Sequence, residues 1–137
     1  MACASAPPVA PQAKRPVDMA PSDVMIRPIG GLACGPGGTA PLHLGVRVTN
    51  RASESIMIRS VRITTLEGQR VAIHSGDVAV NGFLEASQTD IFPVTVTAMA
   101  SDKITDRSLS VSLRAEIEFE ARGVRFREVF DLANLPL

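Results

Sequence analysis

The chain has 137 residues, enough for one domain with one ordinary hydrophobic core. Its 14 Lys+Arg cancel its 14 Asp+Glu, which argues against nucleic-acid binding, and its only aromatics are five Phe, too few for a base- or sugar-stacking platform. No run approaches the roughly 18 apolar residues of a membrane-spanning helix, while 14 Val, 9 Ile and 8 Thr favour pleated structure.

Proline divides the chain, with eight of the ten between Pro7 and Pro41 and only Pro93 and Pro136 beyond. Ala4 to Ala20 (ASAPPVAPQAKRPVDMA) combines Pro and Ala with few large apolar groups, a composition that cannot offset its own ordering entropy. Residues 1–21 are therefore expected to form a disordered tether and residues 22–137 the folded domain. Ser22 to Ile29 alternates in polarity, and Pro28 suits a first strand at a sheet edge, where a missing N–H breaks no ladder. Gly30 to Pro41 is glycine-rich, but no Gly-Lys-Ser/Thr closes it and no helical period follows. It reads as a connecting loop rather than a phosphate cradle.

From Leu42 onward, short alternating runs recur with turn residues between them, the spacing of a sandwich or barrel. Leu42, Leu44, Val46 and Val48 share one face, and Asn50 to Ser55 is a polar turn. In the next run Ile56 and Ile58 are even but Val61 and Ile63 odd, so the strand changes face near Arg59-Ser60, as a bulge or strand switch requires. Glu67-Gly68 turns the chain. Val71 and Ile73, Val78 and Val80, and Phe92, Val94 and Val96 supply three further short strands, with Asn81-Gly82 and Ser87 to Asp90 between them. Pro93 makes the last edge-like.

The C-terminal hairpin fixes its own register. Leu109, Val111, Leu113, Ala115, Ile117 and Phe119 alternate, and Val124, Phe126, Phe130 and Leu132 answer after an Arg122-Gly123 turn. Facing residue numbers that sum to 245 place Phe119 against Phe126, Ala115 against Phe130 and Leu113 against Leu132. The same register sets Glu120 against Arg125 and Glu118 against Arg127 on the outer face. Glu128 opposite Ile117 is its one misfit.

Catalytic signals are scarce. His74-Ser75-Gly76-Asp77 collects triad residue types, but neighbours in one turn cannot converge as nucleophile, base and orienter. Cys34, His43 and His74 lack paired metal-ligand spacing. Glu116, Glu118 and Glu120 form a carboxylate row that facing arginines turn into a salt-bridged face. The expectation is a non-enzyme with no cofactor, no metal site, no nucleic-acid partner and no small-molecule substrate.

Met1-Ala2-Cys3-Ala4-Ser5-Ala6-Pro7-Pro8 resembles the start of a mature bacterial lipoprotein, a small residue before the acylated Cys and a Pro/Ala tether after it. The resemblance implies lipidation of Cys3 and, with Ala4 rather than Asp following, an outer-membrane lipoprotein facing the periplasm. With Cys3 unmodified, the expectation is a cytoplasmic protein, or a Cys3–Cys34 disulfide in an oxidising compartment. Val46 to Thr97 resembles the late embryogenesis abundant type 2 family, the water-stress and hypersensitive-response domain. The features that carry it are Val48-Thr49-Asn50, the strand Ile56 to Ile63, Gly68, Val71 to Ser75 and the strand that closes Ala86 to Val96. The family's Asn-Pro is Asn50-Arg51 here. That resemblance implies an immunoglobulin-like β domain that protects proteins or membranes through water loss.

The expected fold is all-β, a single antiparallel immunoglobulin- or fibronectin-like sandwich of seven or eight strands. Its expected role is that of a cell-envelope lipoprotein that binds or protects other envelope proteins and meets the membrane only through its lipid. A periplasmic accessory, chaperone or pilotin for secretion or fibre assembly is the alternative. The candidate contact is an edge strand, either Ser22 to Ile29 or Ile91 to Thr97, with Ile91, Val94, Thr95 and Val96 as the partner-binding positions.

Overall fold

The computed structural model describes residues 14–29, 39–66, 71–100 and 110–136. Among them seven antiparallel strands follow in chain order: β1 (Asp23–Pro28), β2 (Thr39–Thr49), β3 (Ile56–Thr65), β4 (Val71–Leu84), β5 (Thr89–Ala100), β6 (Ser110–Ala121) and β7 (Val124–Pro136). They hydrogen-bond in the order β1-β2-β5-β4-β3-β6-β7, and the two end strands touch, so the sheet is nearly closed. Cys3 and Cys34 lie outside the described residues.

Alternation builds the core. Leu42, Leu44, Val46 and Val48 of β2 meet Ile58, Val61 and Ile63 of β3, Ile73 of β4, Val94 and Val96 of β5, and Leu113, Ile117 and Phe119 of β6, every one of them buried. Burial of each such side chain contributes roughly 1.5–3 kcal/mol. The face change in β3 is real. Its ladders to both neighbours shift between Ile58 and Ser60, so Ile58 and Val61 both point inward although one is even and the other odd.

One element differs from the sequence reading. Val71–Ile73 and Val78–Val80 belong to a single strand of 14 residues, and Asn81-Gly82 lies inside it rather than in a turn. Asn81 takes φ 50° beside the first register shift, and Gly76 takes φ 62° beside a second shift between Arg62 and Thr64. Two bulges bend β4 enough for its body to pair with β3 while Val71, Ala72 and Ile73 pair with Ala100, Met99 and Ala98 of β5. Between these stretches β4 and β5 part, and the ring of Phe92 covers Gly82, where an added methyl would lie 2.2 Å from Phe92 Cε1.

The C-terminal hairpin keeps the predicted register from Leu113↔Leu132 to Glu120↔Arg125, with Phe119 and Phe126 stacked at 5.6 Å between ring centres. Arg122 and Gly123 both have positive φ, 54° and 73°, as a tight two-residue hairpin turn demands. The Glu128 misfit is resolved by Arg15, whose Nη1 lies 3.0 Å from Glu128 Oε2. This corrects the tether boundary at residue 21. Met19 is 5% exposed within the core, its N–H donates to Pro16 O, and Asp18 is ion-paired with Arg122. One buried thioether and two ion pairs hold residues whose composition alone would leave them unpacked.

Candidate functional site

The outer surface of the β3-β4-β6-β7 region is electrically closed. Asp77 lies 2.9 Å from Arg62 and 3.3 Å from Arg127, Glu120 is 2.9 Å from Arg59 and 3.1 Å from Arg125, and Arg114 is 2.8 Å from Asp131. Arg59 holds the Glu120 carboxyl below its usual range, and Arg114 does the same to Asp131. Burial pushes the Asp77 carboxyl up, but Arg62 and Arg127 outweigh it and the net direction is down. The carboxylate row of Glu116, Glu118 and Glu120 is thus spent on arginines. Among the described residues no group of three or more His, Cys, Asp and Glu is placed to hold a metal ion.

The opposite surface differs. In β1 the odd residues face outward, and their partners on β2 and β5 complete three cross-sheet rows: Asp23–Thr49–Thr89, Met25–Arg47–Ile91 and Arg27–Gly45–Pro93. His43 and Thr95 stand side by side in the next row, His43 Nδ1 2.9 Å from Thr95 Oγ1. Gly45, having no side chain, leaves a depression of about 250 Å³ lined by Met25, Arg27, Ile29, Arg47 and Ile91. Ile29 and Ile91 lean over it, so a methyl at Gly45 would come within 3.3 Å and 3.2 Å of them. Met25, Ile29 and Ile91 are about half exposed, at 47%, 53% and 57%.

Charge sets this groove apart. Of the ten described arginines eight are ion-paired; the two that are not are Arg27 and Arg47, both at its rim. A second depression, lined by Thr49, Asn50, Arg51 and Ser87, is polar, but the side chains of Thr49, Asn50 and Arg51 are occupied within the fold. Asn50 is fully buried, its Nδ2 donates to the carbonyls of Glu54, Leu84 and Glu85, and its Oδ1 accepts from Ala52 N–H. Arg51 pairs with Asp23, and Thr49 Oγ1 sits 2.8 Å from Thr89 Oγ1.

The residues proposed from sequence as a partner-binding edge divide. Ile91 and Thr95 face outward, whereas Val94 and Val96 are 2% and 3% exposed and face the core. In the sheet order β5 lies between β2 and β4, and it is paired with β2 all along Thr89 to Met99. Its other flank pairs with β4 only from Ala98 to Ala100. Along the remainder, Pro93 has no N–H to offer and the Ile91 N–H donates to Asp90 Oδ1, so this flank is blunted. β1, the other candidate, does end the sheet order. His74, Ser75 and Asp77 do not converge: Ser75 Oγ accepts from Ile63 N–H, and Asp77 faces Arg62 and Arg127. Met25, Arg27, Gly45 and Arg47 carry the groove and were not singled out by sequence. The available signal was Gly45 in the middle of a strand, the usual mark of a close approach by other groups.

No family model and no curated protein matches the chain. Among solved structures, a FixG-related protein from Vibrio parahaemolyticus is similar at 10% identity and TM-score 0.39, covering 82% of this chain and 96% of that one. The ASH/PapD-like domain 7 of human CEP192 is similar at 14% identity and TM-score 0.34, covering 100% and 98%.

Proposed function

We propose that the chain is a non-enzymatic cell-envelope lipoprotein domain that works by binding protein through the outer face of β1, β2 and β5. The observation that carries this reading is the half-exposed apolar groove over Gly45 with two arginines lacking any carboxylate partner at its rim. An apolar patch with a polar rim is the usual form of a protein-contact surface. In the same reading the fold is an immunoglobulin-like sandwich, with β1, β2, β5 and the start of β4 as one layer and β3, β6, β7 and the rest of β4 as the other. Cys3 carries the lipid and places the domain on the periplasmic side of the outer membrane. Stress protection is the role that the late-embryogenesis resemblance suggests for such a domain.

A photo-crosslinking residue placed at Ile91, and separately at Val129 on β7, tests the face in the source cells. Adducts from Ile91 with none from Val129 are expected, since both positions are about equally exposed. Equal yields from both, or none from either, would overturn the reading. Intact-mass measurement of the native protein tests the anchor, because a diacyl or triacyl adduct on Cys3 is expected.

A further inference from the structure

The two ladders that meet at Gly45 fix the lattice of side chains around it. Arg27 and Pro93 flank it across the ladders, and Arg47 and His43 flank it along β2. Met25, Ile29 and Ile91 take three of its diagonal positions and Thr95 the fourth. Strands about 5 Å apart, rising about 3.3 Å per residue, put the Arg27 and Arg47 backbones within about 7 Å of Gly45 on adjacent sides. Both side chains line the same depression. The outward rows of β1, β2 and β5 hold a single carboxylate, Asp23, and Arg51 takes it. Lys14, the other described basic residue without an ion pair, precedes Arg15, which binds Glu128 of β7, and does not line the groove.

A partner that covers this groove takes water from both guanidinium groups, a costly step unless it brings counter-charge. The fork of an arginine matches a carboxylate, which it binds through two parallel hydrogen bonds. The depression makes a separate demand. It is a hollow of about 250 Å³ walled by Met25, Ile29 and Ile91, and an apolar cavity of about 150 Å³ already takes a benzene ring, so the space suits one large apolar side chain. A hollow also favours a discrete side chain over a bilayer, which is entered by apolar groups that stand out from a surface. From these two demands we infer that the groove takes a protein segment in which a large apolar residue is flanked by carboxylates. The apolar side chain enters over Gly45, and Asp or Glu residues beside it in the partner chain pair with Arg27 and Arg47. The inference rests on the proposed binding face and names the chemistry of its occupant.

The test is an NMR titration of the full chain with the peptide acetyl-Gly-Ser-Glu-Phe-Glu-Ser-Gly-amide up to about millimolar concentration, where weak contacts saturate. Amide shifts are expected at Met25, Gly45, Arg47 and Ile91, and none at Val129 on β7. Gln in place of both Glu should weaken binding roughly five- to tenfold, and Lys in place of both, or Ser in place of Phe, should abolish it. Added salt should weaken the Glu peptide and leave the Gln peptide unchanged. Arg27→Gln/Arg47→Gln, which changes only exposed side chains, should erase the preference for Glu over Gln. Ile91→Ser, which removes one wall, should weaken both of these Phe peptides alike. Absence of shifts with the Glu peptide, equal binding of the Glu, Gln and Lys peptides, or shifts centred on another surface overturns the inference. So does arginine-dependent binding to vesicles of equal parts phosphatidylcholine and phosphatidylglycerol without binding of the peptide, which would make the face a membrane contact. The crosslink in cells separates this inference from the reading beneath it. Adducts from Ile91 to a protein segment without carboxylates leave the binding face standing and remove only the partner chemistry; no adduct from Ile91 removes both.

Discussion

Arg122 and Asn50 show how single residues hold loops to the frame. At the β6–β7 turn Arg122 Nη2 lies 2.9 Å from Asp18 and 2.7 Å from Glu54, which ties the N-terminal segment, the β2–β3 loop and the hairpin tip together. The two carboxylates hold the guanidinium above the ordinary arginine value, Asp18 contributing most, and Arg122 in turn holds Asp18 below the usual carboxylate range. Because Arg122 pays for this with a left-handed backbone at φ 54°, Arg122→Gly should separate two effects. Global stability is expected to stay within about 1 kcal/mol of the parent, while hydrogen exchange at the Met19 amide, protected by Pro16 O, accelerates. Unchanged protection there would show that Met19 anchors the segment alone. Asn50→Ala should act differently, lowering unfolding free energy in urea by about 2–4 kcal/mol, since it strands buried carbonyls and the Ala52 amide.

At the scale of elements, the parting of β4 from β5 depends on Phe92 lying over Gly82. Gly82→Val would drive its side chain into that ring, and a loss of about 1–3 kcal/mol in urea unfolding is expected, with Phe92→Ala in the same background relieving part of it. How legible each element was from sequence follows from what fixes it. The β6–β7 hairpin was readable because alternation, turn chemistry and cross-strand charge all demand one register. The Ile58-to-Val61 phase change announced its bulge for the same reason, since both apolar sets must reach one core. β4 was not readable as one strand. Asn81-Gly82 is the standard hairpin signal, and only pairing with β3 on one side and β5 on the other turns it into a bulge. The groove was hidden for a related reason: Met25, Arg27, Gly45 and Arg47 stand on two strands whose register has no local turn to set it.

For the whole molecule, acid is the informative variable. Asp18, Glu120 and Asp131 are depressed by their arginines, and Asp77 by Arg62 and Arg127 against its burial. A depressed carboxyl binds its proton less readily folded than unfolded, so the contribution is fully present above the unfolded values of about 4 and is lost as pH falls through the lower folded ones. Urea midpoints are expected to be level from about pH 5 to 8 and to drop below about pH 4; a loss centred between pH 5 and 7 would contradict this. One further consequence comes from parity. Every neighbour in the order β1-β2-β5-β4-β3-β6-β7 is antiparallel, and six reversals leave β1 and β7 running the same way. An odd count of alternating strands cannot seal itself with an antiparallel ladder; only a piece of chain running opposite to both rims could complete the alternation. Residues 15 to 18 run that way, from Glu128 back to Arg122 against the direction of β7. The segment that composition marks as a tether therefore has the heading of an eighth stave, fastened by side chains where the backbone supplies no ladder.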